Sequence, residues 1–365
     1  MLQQVTLDDI QPIALGAGIL GTGGGGSPYL GSLILREAIK EYGAVKVIDP
    51  HALPDDGQIP LVGHIGAPTA SIEKMEEGSE ILRAVRLLER HTGKPMTAIG
   101  IAEIGGSNSM APMVAALQAG LPVVDGDSMG RAFPEVQMST FLFDNQTEVT
   151  PLALVDAGGN EVVISKTISF KWAEDIARTL ATLMGATAGL AGQVVTGAEY
   201  KRLGVNYTLS LAHSIGHSVL LAQDRGADVP ESIAETLNGR ILMRGKITDV
   251  NRRTTQGFAR GSLTVEGFGV NQDKLYIEFQ NEFLIANLNG QIVTTVPNLI
   301  TIVTDDTGEA VSTELLRYGL RVAVIAIPAA RALTSESALK VVGPGAFGYD
   351  VPFTPMSGTK IGERV

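Results

Sequence analysis

Asp125, Asp127, Arg131 and Glu135 fall within eleven residues, directly after the short apolar run Leu121-Pro122-Val123-Val124. Neighbouring carboxyl groups whose pKa values are pushed apart divide acid and base work between them. An arginine beside them holds a carbonyl or carboxylate oxygen. A core strand needs no such ending, whereas loops beyond the carboxyl ends of parallel strands carry function. The structural alternative is a charged loop whose aspartates cap the next helix. The two carboxylates are expected to divide the work, one projecting into a pocket beside Arg131 and the other bracing the loop.

Three other groups have chemistry to offer. A second apolar run, 96–104, ends in Glu103-Ile104-Gly105-Gly106-Ser107-Asn108. The run Gly23-Gly24-Gly25-Gly26-Ser27-Pro28 leads into a helical pattern, with Ser27 as N-cap and Pro28 at the first helical position. Unpaired N–H groups there hold an anion or a polarised carbonyl, unless the glycines are only a flexible connector. His213 and His217, spaced i, i+4, lie on the helix face opposite Ile215 and are expected to face the Asp125 loop. They serve as an acid or, alternatively, as two buried hydrogen-bonded core histidines. A metal at this pair needs a third ligand that the sequence does not identify, so no metal and no cofactor is assigned. Residues 105–109 lack the closing glycine of a GxSxG nucleophile turn.

The elements that must position these groups follow from periodicity. Helices are predicted over 6–20, 29–42, 73–90, 110–118, 172–184 and 206–224, and strands over 45–48, 59–62, 96–104 and 121–124. Strand, loop, helix and strand across 96–124 make a βαβ unit, which is right-handed and parallel. It places Glu103, Asn108, Asp125 and Asp127 at one sheet edge. Gly16 to Gly21 matches GxGxxG literally, but no strand precedes it, so a dinucleotide site is discounted. From Gly239 the character changes to short strands, at 241–250, 262–265, 274–286, 291–296, 299–303 and 322–327, with a hairpin turn at Asn289-Gly290. Such a succession reads as a small barrel or sandwich. The division is an α/β domain over 1–165, a helical segment over 166–238, a barrel-like domain over 239–333 and a tail over 334–365.

Composition removes several classes of function. With 365 residues, 44% hydrophobic and 18% charged, the chain is an ordinary globular one with two domains as the default. A net charge of −11 and the lack of a basic stripe argue against nucleic acid as partner. There is no cysteine, hence no disulfide, thiolate metal site or cysteine nucleophile, which suits a reducing, cytoplasmic setting. Residues 1–10 lack the basic and apolar regions of a signal peptide, and the longest apolar run, near 322–328, is too short to span a bilayer.

Six stretches together, LGTGGGGSPY (20–29), IGGSNS (104–109), LPVVDGDSMGRAFPE (121–135), AHSIGH (212–217), YIEFQNEFLIA (276–286) and LRYGLRVAVIAIPA (316–329), resemble the S-methyl thiohydantoin desulfurase family. The resemblance covers nearly the whole chain. It implies an N-terminal three-layer α/β/α domain with a mostly parallel sheet and a C-terminal domain with a small β-barrel. The family's glycine loop reads GGGGDP; Ser27 here keeps a helix cap and removes a carboxylate. The implied activity is hydrolysis of a C–S bond in an S-methylated thiohydantoin, giving hydantoin and methanethiol. Asp125, Asp127, Glu103, His213 and His217 are the expected acid and base groups. Residues 23–27, Asn108, Arg131 and Glu135 are the expected binding groups. The alternative is a non-catalytic protein binding a cyclic amide, or an accessory subunit of a hydantoinase/oxoprolinase partner. Self-association is left open.

Overall fold

A computed structural model describes residues 1–66, 77–143, 147–255, 258–268 and 273–364, apart from the side chain of Thr254. Nine of its strands form one mixed sheet. At its centre four strands run parallel in the order Val45–Ile48, Val123–Asp127, Ile99–Ile101, Gln58–Gly66. The Glu80–Thr92 and Ala111–Ala119 helices make the crossovers. The expected βαβ unit is therefore present, and Ile101 lies beside Asp127 in register. The expectation of a mostly parallel sheet holds for this centre; on both sides the sheet continues with antiparallel strands.

Alternation along the strands gives the sheet two buried faces. Val62, Val123, Ala153 and Val155 pack with the helices of the large core on one face. Leu61, Val124, Leu152 and Leu154 face the other way, against the Phe170–Leu183 and Gly197–Leu203 helices. The result is three layers. The strand Thr187–Thr196 pairs antiparallel with Gln58–Gly66, so the segment 166–238, read as helical, supplies the N-terminal sheet as well. Its small residues, Ala188, Gly189, Ala191 and Gly192, weaken the apolar signature of a strand. They are needed there, because a Cβ on Gly189 would meet the Glu80 backbone at 2.7 Å and one on Gly192 would meet Leu152 at 2.1 Å.

The start of the chain follows expectation: Thr6 N–H donates to Asp9 Oδ2 at 2.8 Å, and the Ile10–Leu20 helix follows. The literal GxGxxG occupies the end of that helix and its C-cap, Gly21. The helix expected over 73–90 begins at Glu80, and positions 73–76 lie outside the described residues. No described helix is long and apolar enough to cross a membrane.

Seven antiparallel strands make the second sheet, in spatial order from Gln291–Thr295 through the long Arg240–Thr255 strand to Leu299–Thr304. It curls around an apolar core that includes Ile247, Leu263, Phe279 and Val324. The expected barrel is not closed by a ladder among the described residues. The free edge of Leu299–Thr304 is instead met by the returning chain, where Val303 bridges Ala310 and Val311 N–H donates to Ile302 O at 2.8 Å. The run 274–286, read as one strand, is two: Lys274–Gln280 and Glu282–Leu288 fold back at Asn281, whose φ is +59°. Asn tolerates that left-handed conformation better than most residues.

Two glycines let the Ile10–Leu20 and Thr208–Asp224 helices pack backbone to backbone. Gly16 meets the backbone of Ala212, and Gly216 that of Pro12, where an added Cβ would lie 1.9 Å from each carbonyl oxygen. Gly16→Ala should therefore destabilise the protein by about 2–3 kcal/mol, overriding the gain of roughly 1 kcal/mol in helix propensity. Urea unfolding is the measurement. An unchanged or raised midpoint would show that the two helices have room to separate.

Candidate active site

Three parallel strands end at one edge, and a cavity of about 110 Å³ opens just beyond it. Gly63 to Gly66, Ala102 and Glu103 come from the strand ends, and Ser107 and Asn108 from the following turn. Gly25 and Gly26 close one side, Pro134 and Glu135 another. The C-terminal domain adds Asn281 and Glu282. The site lies on the seam between the two sheets.

Close backbone packing holds the glycine loop against this edge. Gly25 O accepts from Asn108 N–H at 3.2 Å and from Ser107 Oγ at 3.2 Å. Gly25 and Gly106 both have positive φ, and a Cβ on either would collide with the other loop's backbone. Of the four residues expected at one sheet edge, Glu103 and Asn108 line the cavity, and of the glycine loop Gly25 and Gly26 do so. Ser27 caps the Pro28–Tyr42 helix, with Leu30 N–H at 3.5 Å from its Oγ.

Two buried carboxyl groups face the cavity from opposite domains. Glu103 accepts from Asn108 Nδ2 at 2.6 Å and from Phe133 N–H at 3.3 Å. Asn108 is itself fixed, its Oδ1 accepting from His64 N–H at 2.8 Å. Burial raises the Glu103 pKa to about 7, against the pull of its hydrogen bonds and of Arg131 and Arg178. Glu282 is 2% exposed, and its Oε2 has no hydrogen-bond partner. Burial, and then the negative charge of Glu103, push its pKa well above the ordinary range. Gly24 makes room for it, since a Cβ there would sit 2.0 Å from Glu282 Oε1.

Asp125 and Asp127 do not line the cavity, and neither divides work with the other: both brace. The strand that was expected to stop at Val124 runs through Asp127. Asp125 accepts from Ser210 N–H at 2.9 Å and Ser210 Oγ at 2.6 Å. Asp127 accepts from the N–H groups of Ile104, Met129 and Gly130 and from Thr208 Oγ1. Both acids thus sit at the N-terminus of the Thr208–Asp224 helix, where negative charge and acceptors are stabilising. They do cap a helix, one about eighty residues further along the chain. Burial raises the Asp127 pKa to about 7, with those four donors opposing the shift.

Arg131 is likewise a tie rather than a lining residue. Its guanidinium donates to Ala132 O, Asn298 O, Thr22 Oγ1 and Phe283 O at 2.8 to 3.2 Å. The cation that lines the cavity is Arg178, which pairs with Glu174, donates to Pro134 O at 2.8 Å and stacks 4.4 Å from the Phe258 ring centre. Glu135 lines the cavity and pairs with Lys171 at 3.3 Å.

The histidines sit elsewhere. His213 Nε2 lies 2.9 Å from Asp9 Oδ1 and 3.1 Å from His217 Nε2. The helix turns Ser210, not His213, toward Asp125, so the expected approach of the histidines to that loop is not observed. Burial lowers the His213 pKa, partly offset by Asp9. Among the described residues no three His, Asp or Glu side chains are arranged to hold a metal ion.

Sequence reading missed Asn281, Glu282, Arg178 and His64. A signal existed for the first two: an Asn inside an otherwise β-branched and aromatic run marks a turn. Nothing marks Arg178, a cation on an amphipathic helix.

Because Asp125 and Asp127 brace, Asp125→Asn and Asp127→Asn should each cost about 1–3 kcal/mol of stability by turning an amide donor toward buried donors. Ligand affinity of the folded fraction should stay within about twofold, since neither touches the cavity. Melting curves with a binding isotherm for each variant check this, and a stable variant that loses binding would contradict it.

Against known proteins, the chain matches the model of the S-Me-THD-like N-terminal domain over residues 8–166 and that of the S-Me-THD-like C-terminal domain over residues 168–356. Comparison with curated proteins gives no match. A crystal structure of a structural-genomics target from Chromobacterium violaceum is similar with a TM-score of 0.79 at 23% identity, covering 97% of this chain and 100% of that one. That likeness concerns the fold. With both domain models matched in order over nearly its whole length, the chain belongs to the S-Me-THD-like family.

Proposed function

We propose that the seam cavity binds a small hydantoin-like ring and that Glu103 and Glu282 hydrolyse the C–S bond of its S-methylated thio form. The observation that carries this reading is the carboxyl pair itself, two buried acids from different domains facing one small space. The volume is well below the ~300–1,000 Å³ of sites that enclose drug-sized ligands. A buried carboxyl oxygen without a partner is costly, and a ring N–H would satisfy it. Family membership favours the same ligand class.

The reaction follows from the unequal pKa values of the pair. Burial disfavours the charged form of both acids; Glu103, raised to about 7, is partly ionised at neutral pH, and Glu282 is assigned as the proton donor. The carbon bearing sulfur is also bonded to ring nitrogen and is electrophilic. Glu103 takes a proton from water as its oxygen bonds to that carbon, and Glu282 protonates the ring nitrogen. In the collapse the C–S bond breaks, Glu103 returns its proton to the departing sulfur, and the new hydroxyl gives its proton to Glu282. Water is consumed, the ring gains a carbonyl, and methanethiol leaves. The N–H groups of Gly25 and Gly26, which bond no described residue, stabilise the developing charge.

Turnover then requires ionised Glu103 and protonated Glu282. It should rise with pH through about 7 as Glu103 ionises, and fall again wherever Glu282 loses its proton. Glu103→Gln should lower turnover by roughly 10²–10⁴-fold and remove the rising limb. Stability gives an independent reading. Between the ordinary value of 4.5 and about 7, folded Glu103 holds a proton that the unfolded chain releases. Stability is therefore lost as pH rises through that window, and Glu103→Gln should reduce the loss. The assay is methanethiol release over many turnovers from S-methyl thiohydantoin. Stoichiometric ring binding without thiol release would make this a binding protein, and undiminished turnover in Glu103→Gln would remove the pair from catalysis.

A further inference from the structure

A second cavity, of about 260 Å³, adjoins the acidic one. The two share His64 and Ser107 as lining residues, and the helix cap Ser27 lies at the rim of the second. Its remaining walls are mostly apolar: Leu30, Leu33 and Ile34 of the Pro28–Tyr42 helix, Ile81 of the Glu80–Thr92 helix, and Ala111 and Val114 of the Ala111–Ala119 helix. Among the described residues the one acid in its wall, Glu80, has its carboxylate occupied by the N–H groups of Glu77 and Gly78 at 2.6 and 2.7 Å. A polar occupant would find no free charge there and would lose its water without compensation. Gly31 keeps the helices close at the junction, where a Cβ would lie 3.0 Å from Met110 Cε and from Ser107 Cβ.

We propose that this compartment holds an apolar substituent of the ring, so that the substrate carries an aliphatic or aromatic side chain such as isobutyl or benzyl. The inference rests on the ring-binding reading of the acidic cavity. A ligand whose polar head meets Glu103 and Asn108 has His64 and Ser107 as the next surface, and beyond them the larger, apolar space. Glu103 and Glu282 then recognise what all such rings share, while Leu30, Ile34 and Val114 select the side chain.

The test compares S-methyl thiohydantoins bearing hydrogen, methyl, isobutyl or benzyl at the tetrahedral ring carbon. Affinity should rise by about fourfold for each added methylene up to the size of the cavity. Leu33 is 42% exposed, so Leu33→Asp should fold, and Ala111→Phe fills the space from its edge. Both should cancel the gain for isobutyl and benzyl rings and leave the unsubstituted ring within about twofold. A second arm needs no ring: toluene titrated into methyl-labelled protein should perturb Leu30, Ile34 and Ile81. Affinity that does not grow with substituent size, or toluene that leaves those methyls unmoved, overturns the proposal even if the bare ring binds. Toluene binding with no ring bound at all overturns the ring-binding reading instead, and with it the substituent.

Discussion

A guanidinium taken fully out of water must find acceptors for its donors, and Arg131 finds them on three separate parts of the chain. Thr22 belongs to the glycine loop, Phe283 to the hairpin of the second sheet and Asn298 to the turn before the strand Leu299–Thr304. Among the described residues no carboxylate bonds it directly. Burial lowers its pKa to about 10, and the nearby charges of Glu282 and Glu103 oppose that shift. One cation therefore fixes where the two domains meet. It also supplies the positive field that lets two acids stand close to each other out of water. Breaking such an arrangement leaves a buried charge uncompensated, which is far more costly than the arrangement is worth in net stability.

The site inherits its character from that seam. Neither sheet alone has a complete cavity: the N-terminal domain brings Glu103, Asn108 and the glycine loop, and the hairpin at Asn281 brings Glu282. The hairpin is itself pinned to the loop, with Phe283 N–H donating to Thr22 O at 2.8 Å and Thr313 N–H to Gly23 O at 2.9 Å. Thr313 Oγ1 also donates to Asn281 O at 2.8 Å. Preorganised donors and acids of this kind need little rearrangement as charge develops on a ligand.

Sequence and structure agree best where the determinants are local. The N-cap at Ser27, the Asn289-Gly290 turn and the helix through 208–224 were all legible, because propensity, capping and periodicity act over a few residues; the strand read over 96–104 spans only Ile99–Ile101. That the strands leading to Glu103 and to Asp125 run parallel and end at one sheet edge was legible too, through the handedness of a βαβ crossover. The aspartates misled for a physical reason. Their types and spacing suit catalysis, but a carboxylate is equally the preferred acceptor for a helix N-terminus. The helix they serve begins at Thr208, far along the chain.

By itself, then, the sequence determined most of the elements, the parallel pairing of two central strands, the helix cap after the glycine run and the family. Which charges are chemical and which are structural was decided only in three dimensions. Burial depends on what the rest of the chain brings against a residue, and a pKa depends on burial. Arg131 became a tie because three distant acceptors converged on it, and Glu282 came to line the cavity because a turn at Asn281 carried it under the glycine loop of the other domain, where no described partner met its second oxygen.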